Sequence, residues 1–218
     1  MLTNSHPEVI QSVIAVDPGV HGGVAIIINN MAIVYDIPTR TEIINKKKRL
    51  KYDLPNMTNL FKPFTNQNVL FAIEKVGVRP GESPISSFSF GEGVGYWKGI
   101  AVAFGFQIVE VTSVQWKNNY PEMLNTTTIT TLRDSLKALR NKSSLVKDGK
   151  QKISIKKEMA DLTRQIKYHS KDAARLYAAQ LYPDIADAFK LKKDDGKAEA
   201  VLIARYAKEK YSKIRIGA

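Results

Sequence analysis

Residues 13–28 read VIAVDPGVHGGVAIII. Val13 to Val16 is an apolar, β-branched run suited to a buried strand, Asp17-Pro18-Gly19 breaks it, and Gly22-Gly23 turns the chain before Val24 to Ile28 runs apolar again. The pair predicts a hairpin, and Met31 to Ile37 predicts a third antiparallel strand beside it. Asp17 then stands at the end of a buried strand. An ionised carboxylate there is costly unless a cation or a partner compensates it.

Beyond this meander the pattern changes. Thr39 to Lys51 carries Lys46, Lys47, Lys48, Arg49 and Lys51 with no apolar period, which reads as a loop or a solvated helix start. Val69 to Val76 predicts a fourth strand whose ionised residues are Glu74 and Lys75. The stretch after it is rich in Gly and Ser and turns helix-like from Gly91 to Phe104, with small residues that allow close packing on a sheet or a partner subunit. Gln107 to Val111 predicts a fifth strand, and Ser113 to Lys117 a short helix behind a serine cap. Three antiparallel strands followed by strands separated by helices imply an α/β chain with a mixed sheet. From Tyr120 to His169 the composition becomes Thr-, Ser-, Lys- and Asn-rich, with helix-like pieces over Thr130 to Arg140 and Ser154 to Tyr168 around a polar turn at Lys147 to Lys150. This predicts a charged helical hairpin, residues 120–169, inserted in a single domain spanning 1–218. Lys171 to Leu181 and Asp195 to Tyr211 predict two further helices.

The composition bounds the function. The 218 residues are 44% hydrophobic, enough for one well-cored domain. A net charge of +12 favours a polyanionic partner such as nucleic acid. The absence of cysteine excludes disulfides and thiolate metal sites. No signal-peptide pattern and no apolar run long enough to span a membrane are visible, so a soluble, intracellular protein with no membrane partner is expected.

Four acids carry the chemistry. Asp17 and Glu74 each end an apolar run, and Asp195 and Glu199 sit one helical turn apart in DDGKAEA, on one face of the predicted helix. Each has an ordinary structural reading: a turn at Asp17-Pro18-Gly19, an ion pair of Glu74 with Lys75, and acids favouring a helix N-terminus at Asp194, Asp195 and Glu199. Together they match what metal-dependent phosphodiester hydrolysis needs, which is three or four convergent carboxylates around two hard cations roughly 3.5–4 Å apart. The glycines after Asp17 would let a phosphate backbone approach closely.

Asp17 in AVDPGVHGGVAI, Glu74 in AIEKVGVRPGESPISSFSFGEGVGYWKGI, Ser113 to Lys117 in VTSVQWK, and DDGKAEAVLIA together resemble the RuvC-like Holliday junction resolvases, most closely the bacteriophage-type branch. The likeness spans about Ser12 to Lys117 and Lys171 to Tyr211. It implies a ribonuclease H-like fold, with a mixed five-stranded sheet of three antiparallel then two parallel strands flanked by helices. It also implies a Mg²⁺-dependent endodeoxyribonuclease, with two cations per active site and Mn²⁺ able to substitute. Such an enzyme cuts four-way DNA junctions as a homodimer and leaves 5′-phosphate nicks. The family carboxylates fall on Asp17, Glu74, Asp195 and Glu199: relatives space the last two acids by three or by four, three would land on Gly196 and four lands on Asp195, with the adjacent Asp194 the alternative third ligand. Glu199 stands where bacterial members more typically carry Asp. Lys117 falls at a basic position near the active cleft, while Arg79, Ser86, Ser87, Phe88 and Lys98 fall where relatives meet the junction. Phe88 and Phe90 suit either stacking on an opened base pair or half-buried packing, and Trp97 and Trp116 suit core or dimer contacts. The insertion at 120–169 is a departure from the compact relatives. The same acids would also serve a nuclease of flaps, forks or RNA–DNA hybrids, and a branched-DNA binding protein without catalysis is the remaining alternative. A bacterial or phage-infected cytoplasm fits the resemblance, which leaves an organellar or viral setting open.

Overall fold

The computed structural model describes residues 10–44, 46–77 and 83–212. Strands β1 (Ser12–Asp17), β2 (Gly23–Ile28) and β3 (Met31–Asp36) form the predicted antiparallel meander. A separate two-stranded hairpin follows, β4 (Thr39–Ile44) with β5 (Lys47–Tyr52), then helix α1 (Leu54–Phe61). Strand β6 (Val69–Lys75) pairs parallel with β1, helix α2 (Pro84–Ala103) crosses over, and β7 (Gln107–Thr112) pairs parallel with β6. The sheet order is β3-β2-β1-β6-β7, which places β1 in the middle. Short helices α3 (Ser113–Asn118) and α4 (Pro121–Leu124), the long pair α5 (Thr127–Leu145) and α6 (Gly149–Leu181), and α7 (Asp195–Tyr211) complete the chain.

Burial on both faces explains why β1, β2 and β6 read as continuous apolar runs rather than as alternating ones. One face of the sheet, with Val13, Ala15, Ala25, Ile27, Leu70 and Ala72, packs against α7 and the C-terminal half of α6. Alanines at 198, 200, 204 and 207 keep α7 close to the strands. The opposite face, with Ile14, Val16, Val24, Ile26, Phe71 and Ile73, packs against Met57, Phe61 and Trp97 of α1 and α2. Each large side chain fully buried this way contributes about 1.5–3 kcal/mol. Trp97 and Trp116 are both wholly buried, on opposite sides of the sheet. No helix among the described residues is long and apolar enough to cross a membrane.

Several elements differ from the sequence expectation. The basic stretch at 39–51 is neither loop nor helix start: it pairs as β4–β5, whose strands have hardly any buried face and so show no apolar period. Helix α2 begins at Pro84 rather than Gly91, because the Ser83 hydroxyl accepts from the Ser86 N–H and Pro84 occupies the first helical position. The cap of α3 is Thr112, not Ser113, in a reciprocal capping box with Gln115. The second helix-like piece of 120–169 does not end at Tyr168, since α6 runs unbroken through His169 and Lys171 to Leu181.

Candidate active site

The end of the middle strand meets the start of α7 through glycine. Gly22 and Gly196 form a parallel β-bridge, and a Cβ on Gly196 would lie 2.4 Å from the Gly22 carbonyl carbon. A Cβ on Gly23 would lie 2.5 Å from the Lys197 nitrogen, and one on Gly22 would strike the Asp17 carbonyl oxygen. Gly22 and Gly23 are therefore committed to close approach to α7 and to their own turn, whereas Gly19 meets only the Phe90 ring at 3.5 Å and the Gly22 nitrogen at 3.9 Å. Gly19 and Gly22 both line the cleft beside Asp17. The close approach of α7 brings its Asp195 and Glu199 to Asp17 of β1.

Glu74 joins them from β6, the neighbour of β1 in the sheet. It is buried, and the Trp116 Nε1–H donates to its Oε1 at 3.2 Å, which fixes the carboxylate from α3. Asp17 registers the gathering: burial, then the charges of Glu199 and Glu74, and then Asp195, push its carboxyl well above the ordinary range of 3.8, while Lys171 pulls it down. Two lysines answer the acids. Lys117 Nζ donates to Glu199 Oε1 at 3.0 Å and lies over the Trp116 ring, and Lys171 from α6 is ion-paired with Asp195. Burial alone would lower the pKa of Lys171, but its hydrogen bond with Asp195 and the charges of Asp195, Glu199 and Asp17 raise it overall, so it stays protonated.

Asp194 and Asp195 have different tasks. Asp194 is buried, accepts the Leu191 N–H at 2.7 Å and pairs with Lys197 at 3.0 Å, and Lys197 also reaches Asp36 at the end of β3. Its carboxyl is held below 3.8: burial raises it, but the Lys197 and Leu191 hydrogen bonds and the charges of Lys197 and Lys193 outweigh that. A depressed carboxylate stabilises the fold above its unfolded pKa and loses that contribution as pH falls through its folded value. Asp194→Ala should therefore destabilise the protein by about 1–3 kcal/mol at pH 7, because it strands the Leu191 N–H and leaves half-buried Lys197 with Asp36 alone. Urea melts of variant and parent should converge when repeated in acid.

The acids lie in a cleft of two lobes, about 690 and 880 Å³, which share Asp17, Phe90 and Lys171. Glu74, Lys117, Glu199, Arg133 and Lys167 line the first. Asp195, His21, Ser86, Lys48, Arg49 and Lys51 line the second. Of the expected DNA-contacting residues, Ser86 and Lys117 line the cleft, and Ser87, Phe88 and Lys98 do not. Phe88 is exposed, and Lys98 is paired with Glu110 of β7 at 2.5 Å. Arg79 lies outside the described residues. Lys171, Lys167 and Arg133 escaped the sequence reading. The available signal was the four-residue spacing of Lys167 and Lys171 just before α6 becomes alanine-rich, which stacks the two ammonium groups on one helix face.

Among the described residues no three acidic or histidine side chains surround a common point as they would a bound cation. The chemistry of the four acids is nonetheless that of ligands to a hard divalent cation. They are oxygen donors, the charges of the other three raise the cost of ionising Asp17, and lysine ammonium groups stand against two of them.

No family model matches the chain. No curated protein sequence matches it either. Among solved structures, T. thermophilus RuvC in complex with Holliday junction substrate is similar over 53% of this chain and 71% of that one, at 11% identity and a TM-score of 0.35. At that level neither fold nor activity transfers.

Proposed function

We propose that this chain is a divalent-cation-dependent endonuclease of branched DNA with a ribonuclease H-like fold, and that it resolves four-way junctions as a homodimer. The observation that carries the reading is the charge coupling of Asp17 to Glu74, Asp195 and Glu199, acids on two adjacent parallel strands and one crossing helix, which all line a cleft rimmed by Lys48, Arg49, Lys51, Arg133, Lys167 and Lys171. The strand order β3-β2-β1-β6-β7 with α7 lying across it supports the fold assignment.

Asp17, Glu74, Asp195 and Glu199 would hold two Mg²⁺, for which Mn²⁺ substitutes; when bound, such cations activate water and stabilise charge on the leaving oxygen. The rest falls to the chain itself. Trp116 keeps Glu74 oriented through its indole N–H. Lys117 and Lys171 leave Glu199 and Asp195 to meet the scissile phosphate, holding positive charge where the transition state gains negative charge. The basic rim fixes the flanking phosphates, and cleavage leaves a 5′-phosphate. Two copies related by a two-fold axis would pair the incisions. The exposed face of α2, from Phe88 through Gly91, Gly95 and Gly99 to Val102, is the surface we assign to that contact; nothing lies within 4 Å of a Cβ built on any of the three glycines.

Mg²⁺-dependent cleavage of a synthetic four-way junction, mapped on all strands beside flaps, forks and RNA–DNA hybrids, tests the reading. Symmetric paired nicks in the junction are expected. Faster cleavage of flaps or hybrids would move the activity to another nuclease on the same fold, and binding without cleavage would leave a DNA-binding protein.

The arm formed by α5 and α6 has its own expected contribution. Residues 120–169 hold eleven Lys and Arg against five Asp and Glu, half of the protein's net charge of +12. Excising the segment would remove Tyr120, Met123 and Ile129 from the core, so neutralisation is the cleaner probe. Replacing exposed Lys150, Lys152, Lys156 and Lys157 by Gln should weaken junction binding and flatten the plot of log affinity against log salt by about 0.9 per lost phosphate contact. An unchanged slope would show that the arm does not touch DNA.

A further inference from the structure

The β4–β5 hairpin lends Lys48, Arg49 and Lys51 to the basic rim, but its far end has no task in the chemistry above. Arg40, Lys46, Lys47, Lys48, Arg49 and Lys51 stand in it against the single acid Glu42. It forms a two-stranded sheet apart from the five-stranded one, and such a hairpin is marginal in water unless it is anchored. Its anchor is the root. The buried Tyr52 hydroxyl donates to the Pro18 carbonyl oxygen at 3.0 Å, its ring meets Tyr96 edge-on at 6.0 Å, and the Asp53 N–H donates to Pro38 O at 3.0 Å.

The pairing register places Thr39, Tyr52, Thr41, Leu50, Ile43 and Lys48 on one face of the hairpin, and Arg40, Lys51, Glu42, Arg49, Ile44 and Lys47 on the other. The more apolar first face starts buried at Tyr52 and emerges into solvent, ending in Ile43 with Lys48 opposite it. Leu50 is 40% exposed and Ile43, near the far end, 76%; Ile44, on the opposite face, is 39% exposed. Exposed β-branched residues at the end of a cationic arm match the chemistry of a wedge in DNA. Apolar side chains enter between bases that have lost their stacking, and flanking cations hold the phosphates on either side. Ile44, Lys48, Arg49, Leu50 and Lys51 line the same lobe of the cleft as Asp195, so DNA lying there has the hairpin on one side and the acids on the other.

We infer that the β4–β5 hairpin is a strand-separating wedge: Ile43 and Ile44 enter DNA at a branch point while Lys47, Lys48 and Arg49 grip the adjoining phosphates. The tie from Tyr52 to Pro18 sets the distance between wedge and Asp17. The inference rests on the DNA reading above. Charge selects the occupant, since a second copy of this chain, itself at +12, would set cations against cations.

The test uses the full chain in EDTA and a four-way junction carrying 2-aminopurine either at the branch point or in the middle of an arm. Binding should raise the fluorescence of the branch-point probe and not of the arm probe. Ile43→Ser should lose most of that rise while keeping its affinity for DNA. A Lys48→Gln, Arg49→Gln double variant should bind junction and linear duplex alike about tenfold more weakly. The protein contains no cysteine, so Ile43→Cys supplies a unique thiol, which should cross-link faster to a disulfide-tethered base at the branch point than to one in mid-arm. A full fluorescence rise with Ile43→Ser, or equal cross-linking at both positions, would overturn the wedge while junction cleavage by the parent still stood. Conversion of a dimer to a monomer by Ile43→Ser in sedimentation would also overturn it, making this face a contact between copies. If the parent neither prefers nor cleaves junctions, the DNA reading fails first and the wedge with it.

Discussion

Replacing Asp17 by Asn is expected to abolish junction cleavage and, in the absence of divalent cation, to raise the melting temperature. Both effects come from the same electrostatics. Asp17 sits where burial and three other carboxylates oppose its ionisation, and Lys171 offsets only part of that cost. Asparagine keeps the shape and removes the charge, so the cation-free variant should gain about 1–3 kcal/mol, or several degrees in a chain of this size. The sign with pH follows from the raised pKa. A carboxyl whose folded pKa lies above its unfolded value contributes stability at low pH and loses it as pH rises through the folded value. The gap between variant and parent should therefore widen from pH 4 towards pH 8. Added Mg²⁺ should close it, because a cation that binds only the folded parent stabilises it by mass action. Losing a group that only orients a metal-binding side chain typically costs about 10–100-fold, and loss of the central carboxylate should exceed the upper end of that range in cleavage rate. Thermal melts at two pH values, with and without MgCl₂, together with junction cleavage, check both halves. A variant that melts lower than the parent in EDTA would show that Asp17 is a structural acid.

The acids and their order were legible because each interrupts or follows a run that has to be buried: Val13 to Val16 before Asp17, Leu70 to Ile73 before Glu74, and the alanine-rich helix after Asp195. The five strands were legible for the same reason, and the mixed character of the sheet from the helical stretches that separate the later ones. What the chain concealed were relations between distant segments. Lys171 meets Asp195 only because α6 and α7 pack side by side, and no local pattern at either position announces the other. Trp116 was expected in the core and is there, but its indole N–H also orients Glu74 from 42 positions away. The β4–β5 hairpin failed the periodicity reading because both of its faces are largely solvated, so Thr-Arg-Thr-Glu and Lys-Lys-Arg-Leu alternate nothing apolar with anything polar. Helix α1 was missed although Asp53 caps it and Met57 and Phe61 sit four apart on its buried face. The Asp194/Asp195 ambiguity needed three dimensions, because adjacent residues at a helix start point in different directions: one towards Leu191 and Lys197, the other into the cleft.

Gly196→Ala should damage the site as severely as loss of a ligand, without touching a carboxylate. The added methyl would lie 2.4–2.7 Å from the Gly22 carbonyl carbon, Cα and carbonyl oxygen, all backbone atoms that cannot rotate away. Either α7 lifts from the β1–β2 turn or the turn moves, and the turn is braced on its other side by the Tyr52 hydroxyl on Pro18. Overpacking of this kind costs about 1–3 kcal/mol. The larger effect is on geometry, because Asp195 directly precedes Gly196 and Glu199 follows one turn later, so displacing the helix start carries both carboxylates away from Asp17. A shift of about 1 Å at a reacting centre is enough to cost roughly 100-fold in rate. Gly149→Ala, at the open first turn of α6 where nothing lies within 4 Å of the new methyl, is the matched control and should leave both stability and cleavage nearly unchanged. Cleavage rates and urea midpoints measured for the two variants separate the possibilities. If Gly196→Ala cuts junctions at the parental rate, the acids of α7 do not depend on the glycine contact, and their approach to Asp17 is set by the packing of Ala198, Val201 and Leu202 on the sheet instead.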